Sequence, residues 1–211
     1  MVRSWPVIGG ILVCACLHAQ AAGGAEIGVK GGLVRASVPG EVWSAANGFE
    51  VGGFLSLATG RGLALQPEVI FVRRAMAGEI SDGVATIRST TTLDYVEVPV
   101  LLKYTFHRST RRWTRPDRVS PMVFGGAFAA VRTRATASTE IGGLSFEEDA
   151  TSQIKRGDFG LVVGAGLEIP QRGRTWSAEV RYTYGMRSIN ASATADAWRM
   201  RTLAMLVGVK W

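Results

Sequence analysis

Few residues in this sequence have the type and spacing that catalysis or metal binding requires. His107 is the one histidine after the first twenty residues, so a Ser–His type of pair has a single candidate base. The run Glu147-Glu148-Asp149 offers carboxylates to a divalent cation, but three consecutive acids rarely converge on one ion, and a solvated loop is the simpler interpretation. No His/Cys cluster has metal-ligand spacing, and no Gly-rich phosphate loop is found. We therefore predict no catalytic, cofactor-binding or metal site.

Charged residues instead recur at every second position within apolar segments. Glu179 and Arg181 are an example, because residues two apart in an extended strand point to the same face. A charge enclosed in a narrow interior must pair or hydrogen-bond, since an isolated buried charge is very costly. We predict a Glu–Arg/Lys network that plugs the interior and is built from ten polar residues: Lys30, Glu50, Gln66, Glu68, Glu97, Lys103, Glu168, Glu179, Arg181 and Lys210.

The elements that must position this network are strands. The chain has 211 residues, 47% hydrophobic and 19% charged, and beyond the first twenty residues no apolar run is long enough for a membrane-spanning helix. Strict alternation marks six segments (48–58, 63–72, 95–106, 159–169, 176–187 and 203–211), and two weaker ones, 26–35 and 121–134, bring the count to eight. We predict an all-β fold, an eight-stranded antiparallel up-and-down β-barrel that spans a membrane.

Three details of this strand pattern need separate comment. Segment 121–134 is apolar on both faces, so the pattern does not predict its register. Pro67 and Pro99 lie inside predicted strands, and proline cannot donate to a ladder, which predicts either bulges or shorter strands there. The connections 36–47, 74–91, 135–156 and 188–197 are predicted to be long outer loops, while 58–62 and 170–174 are predicted to be short turns.

Residues 1–21 have the pattern of a cleaved export signal. Arg3 precedes an apolar run, and Ala19-Gln20-Ala21 follows it as a small-x-small cleavage site. The predicted organisation is a signal peptide over 1–21 and a barrel domain over 22–211. Both cysteines, Cys14 and Cys16, lie in the signal, so we predict no disulfide or thiolate chemistry in the mature chain. Acylation of Cys16, as in a lipoprotein, is the alternative.

The apolar face of such a barrel points either inward, as in a soluble lipocalin-like protein, or outward to lipid. The other face is rich in small residues, which fit the crowded interior of an eight-stranded barrel, and the connections alternate in length. Aromatic residues of the apolar face also cluster at strand ends. They predict two girdles, an outer one of Phe49, Phe71, Phe159 and Tyr184 and a periplasmic one of Tyr104, Phe106, Trp176 and Trp211. These features favour the outer membrane.

A basic patch lies in the predicted periplasmic turn after His107. Five arginines surround Trp113 in the sequence: Arg108, Arg111, Arg112, Arg115 and Arg118. Together with the net charge of +7, they suggest an anionic partner. An exported chain has little access to nucleic acid, so we expect the patch to contact anionic headgroups of the inner leaflet, with a periplasmic protein as the alternative.

Several of these segments resemble a known family. The block over 93–104 (LDYVEVPVLLKY), the Gly-rich segment over 158–166 (DFGLVVGAG) and the shorter LQPE and EVRY motifs resemble the small PorT-like outer-membrane β-barrel family common in Bacteroidota. The turn over 107–120 departs from it, being longer and more basic. The resemblance implies the fold and the membrane but little about activity; a role in assisting protein secretion is suggested by it alone. The terminal Trp211 resembles the signal read by the barrel-assembly machinery.

We therefore predict an integral outer-membrane protein with a structural or interaction role. Its outer loops, chiefly 74–91 and 135–156, would form the contact surface for an extracellular partner. A small passive pore is the main alternative. An enzyme that modifies lipid is not expected, because such enzymes need their base on the outer side and His107 is predicted at the periplasmic rim.

Overall fold

The chain folds into nine β-strands in a computed structural model that describes residues 24–37, 44–81, 86–106, 119–141, 144–149, 156–186 and 200–211. No helix in the described part of the chain is long and apolar enough to cross a membrane. The strands are β1 (Ala25–Ser37), β2 (Ser44–Gly60), β3 (Leu63–Ser81), β4 (Thr86–Thr105), β5 (Ser120–Ile141), β6 (Leu144–Asp149), β7 (Gly157–Gln171), β8 (Arg174–Gly185) and β9 (Arg201–Lys210).

Eight of these strands form a closed barrel. Every pairing is antiparallel, neighbours in the chain are neighbours in the sheet except where β5 pairs with β7, and β9 pairs with β1 to close the ring. Among the described strands, β6 pairs only with β5 and is not a member of the ring. Following the paired residues from strand to strand once round the barrel, starting at Ala25 of β1, leads back to β1 at Arg35 rather than at Ala25. This offset along β1 means that the strands are strongly tilted relative to the barrel axis. The predicted eight-stranded antiparallel up-and-down barrel is confirmed.

The two faces of the barrel differ as the alternation predicts. Outward residues are large and apolar: Leu33 is 71% exposed and Met205 is 61% exposed. Inward residues include charged side chains such as Glu68 and Arg181, both buried. The register of β5, which the sequence left open, turns Met122, Phe124 and Phe128 into the interior. The molecule is therefore apolar outside and polar at its centre, the reverse of a soluble barrel.

The predicted long outer loops are mostly strand, so that part of the prediction is wrong. β3 continues to Ser81 and β4 begins at Thr86, which turns most of 74–91 into a hairpin, and β5 continues to Ile141. β1 and β2 likewise extend into 36–47, whereas 188–197 lies outside the described residues. The extensions are rich in Thr, Ser and Ala rather than large apolar residues. Such residues pair in a sheet above a membrane without showing apolar alternation.

The two prolines neither shorten their strands nor cause bulges. Pro67 pairs with Val100 on β4 but has no paired residue on β2, and Pro99 pairs with Phe128 on β5 but has none on β3. The register is the same on both sides of each gap, so the missing N–H donor interrupts the ladder for about two residues without displacing it.

Two short turns lie at the end of the barrel where the first and last residues of the domain meet. Arg172 and Gly173 link β7 to β8 with φ of 46° and 80°, the backbone of a two-residue turn with both central residues left-handed. Arg61, between Gly60 and Gly62, has φ of 53°. Asn and Gly favour these positions, and an arginine there is strained.

Replacing Arg172 with Asn is expected to stabilise the barrel by roughly 0.5–1 kcal/mol, because Asn tolerates the left-handed conformation better than Arg. Reversible urea unfolding of the protein folded in detergent or lipid measures the change. Arg174→Asn, in the strand that follows the turn, removes the same charge without relieving strain and serves as the control. A gain equal to that of the control would show that the turn backbone is not the cause.

Candidate functional site

A cluster of four charged side chains spans the middle of the barrel interior. Lys30 of β1 places its Nζ 3.0 Å from Glu68 Oε1 and 2.9 Å from Glu179 Oε2. Arg181 of β8 places Nη1 2.9 Å from Glu68 Oε2 and Nη2 3.5 Å from Glu179 Oε2. All four side chains are at most 4% exposed. Because β3 lies across the interior from β8, this central cluster connects opposite walls of the barrel.

Neutral side chains complete the central cluster. Gln66 Nε2 donates to Glu68 Oε1 at 2.7 Å, and Ser177 Oγ donates to Glu179 Oε1 at 3.4 Å. Two cations face two carboxylates, so the cluster has no formal net charge. Paired and hydrogen-bonded groups of this kind avoid most of the penalty of a lone buried charge.

A second group of charges lies nearer the end with the short turns. Lys103 Nζ is 2.9 Å from Glu168 Oε1, and Lys210 Nζ is 3.2 Å from the same oxygen. Lys210 also contacts Glu26 Oε2 at 2.7 Å, and Thr105 Oγ1 donates to Glu168 Oε2 at 3.2 Å. This lower cluster is also balanced, with two lysines and two glutamates, and Glu26 was not among the predicted members.

A third pair lies above the central cluster. Arg74 of β3 forms a buried ion pair with Glu97, and its guanidinium lies 5.2 Å from the ring centroid of Tyr95. Glu50 is buried nearby, with Oε1 lacking a hydrogen-bond partner among the described residues. Arg74 was missed because the predicted strand ended at residue 72, although the alternation extended by two positions reaches it.

The structure thus places all ten predicted interior residues on the inward face, grouped in three clusters. The central cluster contains Lys30, Gln66, Glu68, Glu179 and Arg181; the lower cluster holds Lys103, Glu168 and Lys210; and the upper group holds Glu50 and Glu97. The alternation located these residues but did not indicate which acid pairs with which base.

Two phenylalanines also fill the interior, and they pack over glycines of the neighbouring strand. Lys30 Nζ lies 4.6 Å from the ring centroid of Phe54, and the guanidinium of Arg181 lies 5.5 Å from that of Phe124. A Cβ on Gly28 would overlap the Phe54 ring and lie 2.7 Å from the Val209 carbonyl oxygen. Phe54 was missed, although its even position places it on the same face as Glu50. An apolar cluster that includes Phe124, Tyr95 and Leu101 adds further filling.

The predicted aromatic girdles all lie on strands or directly beside them. Phe49 and Phe71 are neighbours with ring centroids 6.0 Å apart, and Tyr104 meets Phe106 edge-on at 4.8 Å. Phe159 lies near the start of β7 and Tyr184 near the end of β8, at the same end of the barrel as Phe49. Trp176 and Trp211 lie at the opposite end, beside the short turns, together with Tyr104 and Phe106. Two levels of outward aromatics therefore bound the apolar band.

Other predicted features lie outside the described residues: the export signal over 1–21 with Cys14 and Cys16, His107, Trp113, and the basic patch of Arg108, Arg111, Arg112, Arg115 and Arg118. The run Glu147-Glu148-Asp149 was predicted as a solvated loop segment but belongs to β6. Within the described ranges, no three His, Cys, Asp or Glu side chains are placed to hold a metal ion.

Gly28→Ala is expected to destabilise the barrel by about 1–3 kcal/mol, because the new Cβ meets a backbone carbonyl as well as the Phe54 ring. Gly53→Ala is the matched control, since Gly53 faces outward on the paired strand and a Cβ there has only Gly28 O within 4 Å, at 3.6 Å. Urea unfolding of both variants tests the packing. Equal stability of the two variants would mean that Phe54 does not need the space above Gly28.

A family model described as outer membrane protein β-barrel domain matches residues 18–190. No curated protein matches the chain. Among solved structures, Neisserial surface protein A is 18% identical, with 89% of this chain and 97% of that chain covered and a TM-score of 0.49.

Two further solved structures give similar values. OprG of Pseudomonas aeruginosa is 10% identical, with 89% of this chain and 96% of that chain covered and a TM-score of 0.43. The outer membrane enzyme PagL is 14% identical, with 87% and 97% covered and a TM-score of 0.42. The family model spans most of the chain, and the apolar exterior of the closed barrel fits a lipid environment. The chain therefore belongs to the outer membrane protein β-barrel domain family and is an outer-membrane β-barrel protein.

Proposed function

We propose that this barrel has a structural and interaction role, with a plugged interior and a contact surface at its outer end, and that it is not an enzyme. The observation that carries the proposal is the central cluster, in which Lys30 and Arg181 bind Glu68 and Glu179 across the barrel. Ions or solutes would have to break these contacts to pass.

The layers above and below the central cluster support a plug. The lower cluster around Glu168 closes the periplasmic side, while Phe54 and Phe124 occupy the space beside the central charges. An eight-stranded barrel has an interior only wide enough for side chains to fill. A passive pore is the second candidate. Glu50 Oε1 is buried and has no hydrogen-bond partner within the described ranges, which favours a pore, because a water in the interior would satisfy that atom.

The proposed contact surface is a wall formed by the extended parts of β3, β4 and β5 together with β6. β6 pairs with β5 on one side, and no described strand pairs with its other side. Phe146 on this edge strand is 60% exposed. An open strand edge with an exposed aromatic side chain suits an extended segment of a protein partner, which would add to the sheet.

Three finer roles remain proposals. The arginine patch over 108–118 would contact inner-leaflet headgroups, supported by its charge and by the basic residues Arg61 and Arg172 in the two short turns at the end of the barrel where β4 ends and β5 begins. Trp211 would be read by the barrel-assembly machinery; its backbone pairs with Ile27, which places it at the closing seam of the barrel. A PorT-like role in assisting secretion rests on the family resemblance of the sequence motifs alone.

The plug predicts a low conductance. The folded protein in planar bilayers should show no steady large conductance, and the double variant Lys30→Ala/Arg181→Ala should show clearly more, because the contacts across the interior are gone. Cold and boiled gel mobility must first show that both proteins are folded. A wild-type conductance as large as that of the double variant would contradict the plug and favour the pore.

The contact surface predicts protein neighbours at β6. A photo-crosslinking residue in place of Phe146 should attach to a protein in intact outer membranes. The same residue in place of Met205, which is equally exposed but lies on the apolar band, should attach to lipid. A Phe146 position that yields no protein adduct would contradict an interaction role for this strand.

A further inference from the structure

The outward arginines at the outer rim fall into two kinds. Arg73 of β3 is neutralised, because its Nε and Nη2 donate to the two carboxylate oxygens of Asp94 at 2.7 Å each. Its guanidinium also lies 5.7 Å from the ring centroid of Phe49, an outer-girdle residue. This arginine therefore has an anionic partner within the protein and needs none from the surroundings.

Arg35 and Arg201 have no such partner among the described residues. Both are exposed, and neither forms an ion pair with a described carboxylate. They lie on the adjacent strands β1 and β9, where Arg35 pairs with Leu203 and Arg201 pairs with Ser37. The two arginines are thus diagonal neighbours on the outer face, with β-carbons about 7–8 Å apart, a separation across which two long side chains can contact one small anion.

The surroundings of this pair place it at the boundary of the apolar band. Arg201 pairs with Tyr184 of the outer girdle, and its guanidinium lies 5.8 Å from the tyrosine ring centroid. Below the arginines the same two strands expose Leu33, Leu203 and Met205. On the other side of Arg35, the paired residue Asn47 is exposed and adds an amide donor.

Two guanidinium groups that have no carboxylate partner in the described ranges, at the edge of an apolar surface, match one class of ligand. Arginine offers a planar fork of donors that fits a phosphate group, and headgroup phosphates lie at the level where the hydrocarbon ends. The apolar residues below the arginines would lie against the acyl chains of the same molecule, which a free phosphate lacks. We propose that Arg35 and Arg201, supported by Tyr184 and Asn47, bind the phosphate of an outer-leaflet lipid.

The test measures lipid binding by the full-length folded protein. Native mass spectrometry of detergent-solubilised wild type, titrated with bis-phosphorylated lipid A, should show a bound complex. Arg35→Gln/Arg201→Gln should weaken that complex at least tenfold. Arg174→Gln, an exposed arginine at the opposite end, should change it less than twofold. Unchanged heat-modified gel mobility establishes that the variants are folded, as expected for exposed side chains.

Two further titrations identify the source of the phosphate. Dephosphorylated lipid A should bind the wild type as weakly as lipid A binds the double variant, and millimolar inorganic phosphate should not displace lipid A. Equal binding of lipid A to the double variant and the wild type, or equal binding of the dephosphorylated lipid, would overturn the site. Displacement by inorganic phosphate would replace the lipid with a free anion and would equally overturn the proposal.

Discussion

The fold depends on the pairing of charges that the barrel encloses. Lys30 contacts Glu68 and Glu179 at once, and Arg181 contacts the same two carboxylates from the other wall. These partners are distant in the chain and come from β1, β3 and β8, so they meet only when β9 pairs with β1 and the ring is closed. A closed barrel with a shifted register would leave at least one of the four charges buried without a partner, which is far more costly than losing an exposed ion pair.

Closing the ring also sets the size of the side chains that fit within it. The Phe54 and Phe124 rings lie beside the Lys30 and Arg181 cations, and each occupies the space that a Cβ on Gly28 or Gly164 would take. Glycine is therefore required at these positions for close approach rather than for backbone freedom. The same constraint explains why the inward face looks small in the sequence even though the interior is well filled.

The outer surface of the barrel has two parts, an apolar band that faces lipid and more polar strand extensions beyond it. Large apolar residues cover the band between the two aromatic levels, and the strands that continue beyond it carry Thr, Ser and Ala. β3, β4 and β5 extend further beyond the apolar band than the other strands, and β6 pairs with the extended part of β5. The outer end of the barrel is therefore asymmetric. On another side of the rim, no carboxylate in the described part of the chain does for the arginines of β1 and β9 what Asp94 does for Arg73. The two proposed surfaces, for protein and for lipid, thus lie on different parts of one rim.

The sequence by itself determined the eight strands of the barrel, their antiparallel arrangement and the face on which each predicted interior residue lies. A period of two assigns Glu68, Glu179 and Arg181 to one side of their strands whatever their neighbours are. It did not determine the ends of β3 and β4, because the residues beyond the apolar band do not alternate in hydrophobicity, and Arg74 was missed for that reason. Nor did it determine the register of β5, the gaps at Pro67 and Pro99, or the acid that binds each base. Those features were decided only by the tertiary structure, because they depend on how strands far apart in the chain align around a closed ring.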